Sequence, residues 1–170
     1  MKRALVVVDM QNDFLTGSLG SADCAAILPA VKSFLKAERE RGTEILFTRD
    51  THGEDYFSTQ EGKNLPVSHC VKGTDGWQIA DGLYAGEKVF DKPTFGSLEL
   101  AKYLQEKAFA EVCFIGVCTD ICVVSNAMLC KAFCPETKVF VKADCMAGTS
   151  KKAHEAAVKA MQSCQIFVIE

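Results

Sequence analysis

The sequence predicts an α/β fold of three layers, α/β/α, with a mostly parallel six-stranded sheet, folded as a single domain over residues 1–170. Three observations predict it. Short β-branched runs alternate with longer segments of helical period, the pattern of successive βαβ units. The first run, ALVVVD at 4–9, is continuously apolar up to its last residue, as a strand covered on both faces must be. Nearly half of the 170 residues are apolar (48%), enough for one sizeable core.

In chain order, 4–9 is the first strand. Helix spacing follows over 26–41, with Ile27, Leu28, Val31, Phe34 and Leu35 on one side. Pro29 is tolerable there only in the first turn, and Gly42 marks the end. TEILFT (43–48) and EKVFDK (87–92) are the second and third strands. SLELAKYLQEK (97–107) is a helix with Leu98, Ala101 and Leu104 along one side. EVCFIGV (111–117) is the fourth strand, and a helix runs from Asp120 to about Cys134, ahead of Pro135. TKVFVK (137–142) is the fifth strand, 150–163 a helix, and QIFVI (165–169) the last strand. Residues 49–86 interrupt the alternation as an insertion loop. They carry no long periodic pattern, yet hold two of the three histidines and the only tryptophan. Such segments in compact domains are usually functional or mobile.

Composition excludes several classes. Lysine plus arginine number 19 against 22 acidic residues, a net charge of −3 with both signs scattered, so a nucleic-acid partner is not expected. No apolar run reaches the roughly 18 residues of a membrane span. The N-terminal apolar stretch ends at Asp9, too short for a secretory leader, and a cytoplasmic location is expected. Nine cysteines occur without any CxxC pair. Cys24, Cys113, Cys130, Cys134, Cys145 and Cys164 read as reduced, small apolar fillers.

Parallel sheets bind ligands beyond the carboxyl ends of their strands. That rule collects Asp9, Asp50, Lys92, and the pair Cys118 and Cys122 at one rim. A thiolate is favoured at a helix N-terminus and near cations. With Thr119 as cap, Cys122 falls in the first turn and Cys118 precedes it. Position favours Cys122, although the stretch by itself also reads as two packed cysteines. Lys92 can stabilise a thiolate, and Asp9 can take the thiol proton and return it to a leaving amine. In an extended stretch Asp50 and His52 point the same way. With the distant His69 they make a mononuclear metal site, two surface histidines being the plainer reading of the spacing.

VVVDMQNDF, DKPTFGSL and GVCTDICV resemble the three catalytic segments of the isochorismatase-like cysteine hydrolases, in order and over nearly the whole chain. The resemblance implies a Rossmann-like sheet, with Asp9 as proton acceptor and donor, Lys92 as thiolate stabiliser and Cys122 as nucleophile. It also implies a non-proline cis peptide at Val117–Cys118, where many relatives carry alanine after the bond, and an oxyanion held by the backbone N–H groups of Cys118 and Cys122. The D-x-H of Asp50 and His52, followed by LPVSHC, resembles the metal-binding segment of the nicotinamidase branch. It implies a divalent ion, zinc first with manganese or iron(II) as alternatives, on Asp50, His52 and His69, with Glu61 a further ligand directly or through water. In that branch the metal holds the pyridine nitrogen of nicotinamide.

Phe14, Leu65, Phe95 and Cys118 are the candidate substrate-pocket residues, core packing being the other reading of the two phenylalanines. Leu65 stands where many nicotinamidases carry tryptophan, and Thr51 where many carry an aromatic residue. Trp77 reads as packing and His154 as structural. Relatives are often dimers or larger, so a homo-oligomer is expected. The expected activity is hydrolysis of a small-molecule amide, nicotinamide, through a thioester on Cys122. An amidase for another small amide, and a non-catalytic redox protein using Cys118 and Cys122, are the alternatives.

Overall fold

The computed structural model describes residues 2–170. Its strands are β1 (Arg3–Val8), β2 (Glu44–Asp50), β3 (Lys88–Lys92), β4 (Glu111–Val117), β5 (Lys138–Ala147) and β6 (Phe167–Ile169). The helices are α1 (Asn12–Leu15), α2 (Ala22–Ala26), α3 (Leu28–Glu40), α4 (Gln60–Asn64), α5 (Leu98–Lys107), α6 (Val124–Phe133) and α7 (Lys151–Ser163). All five strand pairings are parallel. The order is β3-β2-β1-β4-β5-β6, that of a doubly wound, Rossmann-like sheet. The chain works outward from β1 to β3, then crosses back to start again beside β1 at β4. The switch point therefore lies between the carboxyl ends of β1 and β4, where such sheets open a crevice.

The period of two along a strand divides the core. Ala4, Val6 and Val8 pack with Leu100, Leu104, Ala127 and Met161 beneath α5, α6 and α7. Leu5 and Val7 pack with Val31 and Leu35 of α3 on the other face. The five apolar residues of β1, Ala4 to Val8, are all buried, each larger one contributing about 1.5–3 kcal/mol of transfer free energy before chain entropy. Gly116 of β4 has φ 111°, and a Cβ there would meet the carbonyl oxygen of Val8 at 2.1 Å. Only glycine lets the end of β4 lie against β1.

Three elements differ from the sequence reading. The helix expected over 26–41 is α3, and a separate short helix, α2, precedes it. Ser21 caps α2 by accepting from Cys24 N–H, and α3 starts at Leu28 with Pro29 in its first turn, because proline cannot continue the preceding helix. β5 runs five residues beyond the expected end at 142. Its register against β4 shifts, Phe114 facing Val141 and Gly116 facing Met146, so the stretch 142–145, which carries Lys142 and Asp144, is a bulge inside the strand. The helix expected from Asp120 begins with a wide π-type turn over Thr119–Val123, and α6 follows it. Ser97 and Ser150 cap α5 and α7, where those helices were expected to start. Among the described residues no helix is long and apolar enough to cross a membrane.

Candidate active site

Lys92, the last residue of β3, is the hub of the strand ends. It is 1% exposed. Its Nζ lies 2.6 Å from Asp9 Oδ2, 3.2 Å from Asp50 Oδ1 and 3.4 Å from Cys122 Sγ. Burial alone would lower its pKa, but Asp9, Cys122 and Asp50 raise it above the ordinary lysine value, so it is a cation. Asp9 follows β1 in a left-handed backbone conformation, φ 47°. Its Oδ1 accepts from Thr48 Oγ1 at 2.6 Å. The Oδ2 contact with Lys92 is an ion pair without hydrogen-bond alignment, which leaves that buried oxygen without a hydrogen-bond partner. Burial raises the Asp9 pKa, against the pull of Lys92.

Cys122 sits in the wide turn over Thr119–Val123, preceded by a cis peptide at Val117–Cys118. The expected cap is absent: Thr119 pairs its hydroxyl with His154 Nδ1 at 2.8 Å instead, and Cys118 O receives the N–H groups of Ile121 and Val123, each at 3.1 Å. Burial pushes the Cys122 thiol well up and Asp9 raises it further, while Lys92 lowers it. Desolvation outweighs the one cation at this position, which suits a carboxylate beside the sulfur that can take the thiol proton.

The second cluster adjoins the first through Asp50. His52 Nε2 and His69 Nε2 lie 3.0 and 3.4 Å from Asp50 Oδ2, and 3.7 and 3.8 Å from Glu61 Oε1. One donor atom from each of the four residues lies within 4.8 Å of the others. Two donors about 2.1 Å from one ion, at right to tetrahedral angles, stand roughly 3.0–3.4 Å apart. The spacing of Asp50 to the two histidines and the donor chemistry therefore fit one divalent cation, with Glu61 standing wider of it. The His69 ring turns Nε2 inward while Nδ1 lies 2.8 Å from Val67 O, an outer contact typical of histidines arranged for metal. Burial would raise the Asp50 pKa, but the two histidines and Lys92 hold it well below the usual carboxylate range. Glu61 is raised by burial and by Asp50.

A cavity of about 290 Å³ lies between the clusters, at the small end of small-molecule pockets, roughly 300–1,000 Å³. All four predicted pocket residues line it: Phe14, Leu65, Phe95 and Cys118. Phe14 packs its ring edge-on to His69. Trp77 stays outside, its indole N–H donating to Thr51 and its face under the Arg49 guanidinium.

Several contributors are not marked by the sequence. Cys24 and Thr149 also line the cavity. The strand-end rule would have reached Thr149 had β5 been followed to Ala147. Gln11 is fully buried and clamps the loop: its Nε2 donates to Asp50 O and Trp77 O, and its Oε1 accepts from Asp50 N–H. Asp13 Oδ2 accepts from Cys70 N–H at 2.7 Å, next to His69. Its carboxylate also fills the space a Cβ on Gly76 would need, approaching to 2.2 Å. Tyr56 donates its hydroxyl to Leu65 O and packs its ring on both histidines.

Fold and site together define a doubly wound α/β protein with a lysine-centred thiol–carboxylate site at its switch point. The isochorismatase domain model matches residues 3–170, and the chain belongs to that family. It is 30% identical to the nicotinamidase/pyrazinamidase of Mycobacterium tuberculosis over 98% of each chain. Among solved structures it is similar to the pyrazinamidase of Pyrococcus horikoshii in complex with zinc, with a TM-score of 0.88 and 29% identity over 100% of this chain and 99% of that one. It is also similar to the pyrazinamidase/nicotinamidase of Streptococcus mutans UA159, with a TM-score of 0.89 and 26% identity over 99% and 100% of the two chains.

Proposed function

We propose that the chain is a metal-containing amidohydrolase of nicotinamidase type, converting nicotinamide to nicotinate and ammonia through a thioester on Cys122. The observation that carries this reading is the meeting of Asp9, Asp50 and Cys122 on the single ammonium of Lys92, beside a cavity that Asp50 and Cys122 line. Cys122 Sγ attacks the carboxamide carbon while its proton passes to Asp9 Oδ2. The backbone N–H groups of Cys118 and Cys122 receive the oxyanion. The C–N bond breaks as Asp9 returns the proton to nitrogen, which leaves as ammonia. Water then gives a proton to Asp9 and attacks the thioester carbon. The C–S bond breaks, the acid departs, and sulfur recovers its proton from Asp9. Lys92 stays protonated and balances the anion on sulfur.

Phe14, Leu65 and Phe95 frame the substrate ring. The residues that would hold a divalent ion are Asp50, His52 and His69, with Glu61 directly or through water. When bound, zinc, or alternatively manganese or iron(II), supplies a Lewis-acid position for a ring nitrogen. One feature favours a second reading, an amidase for another small amide: Leu65, half-exposed on the cavity wall, stands where the resemblance expects a flat aromatic surface.

Ammonia release from nicotinamide, pyrazinamide and a panel of small aliphatic amides, with and without chelator, tests the two readings. Turnover of the pyridine and pyrazine amides, lost in Cys122→Ala and on chelation, is the expected result. Turnover confined to aliphatic amides moves the assignment to the second reading, and disulfide formation without turnover to a redox protein. We also propose a single-domain, cytoplasmic, self-associating protein. Nine free cysteines suit a reducing compartment, and the exposed Leu65 and Phe95, which share a second groove, suit contact between copies. Light scattering after size exclusion checks self-association, and a monomer rejects it.

A further inference from the structure

Asn126, one turn past Cys122 in α6, is 2% exposed. Asparagine is a poor choice for a helix interior, and a buried amide is costly unless its capacity is met. Here it is met by partners on two segments. Asn126 Nδ2 donates to Cys122 O at 2.8 Å and to Phe95 O at 3.1 Å, and Oδ1 accepts from Ser97 N–H at 2.9 Å. Among the described residues the two bonds to Phe95 and Ser97 are the only hydrogen bonds that link residues 93–97 to residues 118–126. One segment carries Cys122. The other follows Lys92 and carries Phe95, a wall of the cavity.

We propose that Asn126 is a positioning residue for the amide reaction: its one side chain ties the backbone of Cys122 to the loop bearing Phe95, and so sets where sulfur stands relative to Lys92 and the substrate. The proposal rests on Cys122 as nucleophile. It does not require the substrate to be nicotinamide. A bond to Cys122 O alone would only brace the helix, since any small hydroxyl one turn on could make it. The two bonds to Phe95 and Ser97 make it a bridge. Small displacements of a reacting group cost up to about 100-fold in rate.

The test compares Asn126→Leu, similar in shape without hydrogen bonds, with Asn126→Ser, which can reach Cys122 O but not the loop. Both are measured for kcat and KM on whichever amide the wild type turns over, for thermal midpoint, and for the rate of Cys122 alkylation by iodoacetamide, resolved by mass spectrometry. The expected result is a fall in kcat of about 10- to 100-fold in both variants, a KM within about threefold of wild type, and slower alkylation of Cys122. Recovery of kcat in Asn126→Ser overturns the bridge, as does a change confined to KM. Should Asn126→Leu not fold, Asn126→Ser decides alone. Should the wild type turn over no amide, the proposed function fails while alkylation still reads out position, and an unchanged alkylation rate in Asn126→Ser overturns this inference separately.

Discussion

Asp9, Asp50 and Lys92 stand at the ends of three adjacent parallel strands, and Cys122 on the turn that leaves a fourth, so the sheet ladder itself fixes their spacing. His52, Glu61 and His69 come from a stretch without a strand, held by Gln11, Asp13 and Tyr56. The two sides of one cavity are thus built by different means, backbone pairing on one and side-chain clamps on the other. They should fail separately. Damage to a clamp should loosen the cation-binding side and spare the sheet side.

The largest separation is expected between Cys122→Ala and His69→Ala. The first should lower turnover by on the order of 10³-fold or more and keep the thermal shift on adding zinc. The second should lose that shift, which for wild type at 100-fold excess over Kd is about 2.7 kcal/mol. Parallel loss of both properties in either variant would show one cooperative unit rather than two. Next, Lys92→Met leaves Asp9 and Asp50 buried without their cation, and unfolding in urea should show a loss of about 3–5 kcal/mol. A loss below 1 kcal/mol would mean that water or protonation takes over the lysine's role.

A smaller effect is expected for Gln11→Ala, which removes three hydrogen bonds, two to Asp50 at the end of β2 and one to Trp77 in the loop, about 2–3 kcal/mol at ordinary values. Hydrogen exchange should rise at Asp50 and around Trp77 while the β4 amides stay protected. Even loosening of both would erase the contrast drawn above. The smallest effect is one of pH. The hydrogen bond from Cys118 brings the Cys24 thiol down to about 7, against the opposing effect of burial. Its thiolate therefore forms as pH rises through about 7, and alkylation of Cys24 should accelerate across that range. Burial pushes Cys113, Cys130 and Cys145 up to about 12, so in the native protein they should stay unmodified at pH 8.

Legibility in the sequence follows the same division. A strand covered on both faces writes itself as a continuous apolar run, so the existence of the six strands and the carboxyl ends of β1, β3 and β4 could be read to within a residue, and with them the placing of Asp9 and Lys92 at one rim, with Asp50 just past the second strand. β5 was cut short because Lys142 and Asp144 look like a strand end when they form a bulge. The histidines were visible as residue types. What brings them together was not, since Gln11 reaches Asp50 and Trp77 and Asp13 reaches Cys70 across distances in the chain that leave no periodic trace. Nor does a sequence state desolvation, which is why the upward push of burial on the Cys122 thiol emerged only from its surroundings.

The switch point also has a meaning for the newly made chain. Asp9, Asp50 and Lys92 belong to the half that builds β1 to β3, and Cys122 to the half that begins at β4. Until Val8 lies against Gly116, no carboxylate stands ready for that thiol and no ammonium faces it. A half-assembled chain is chemically silent, and the ability to attack an amide is acquired together with the longest-range strand pairing in the molecule.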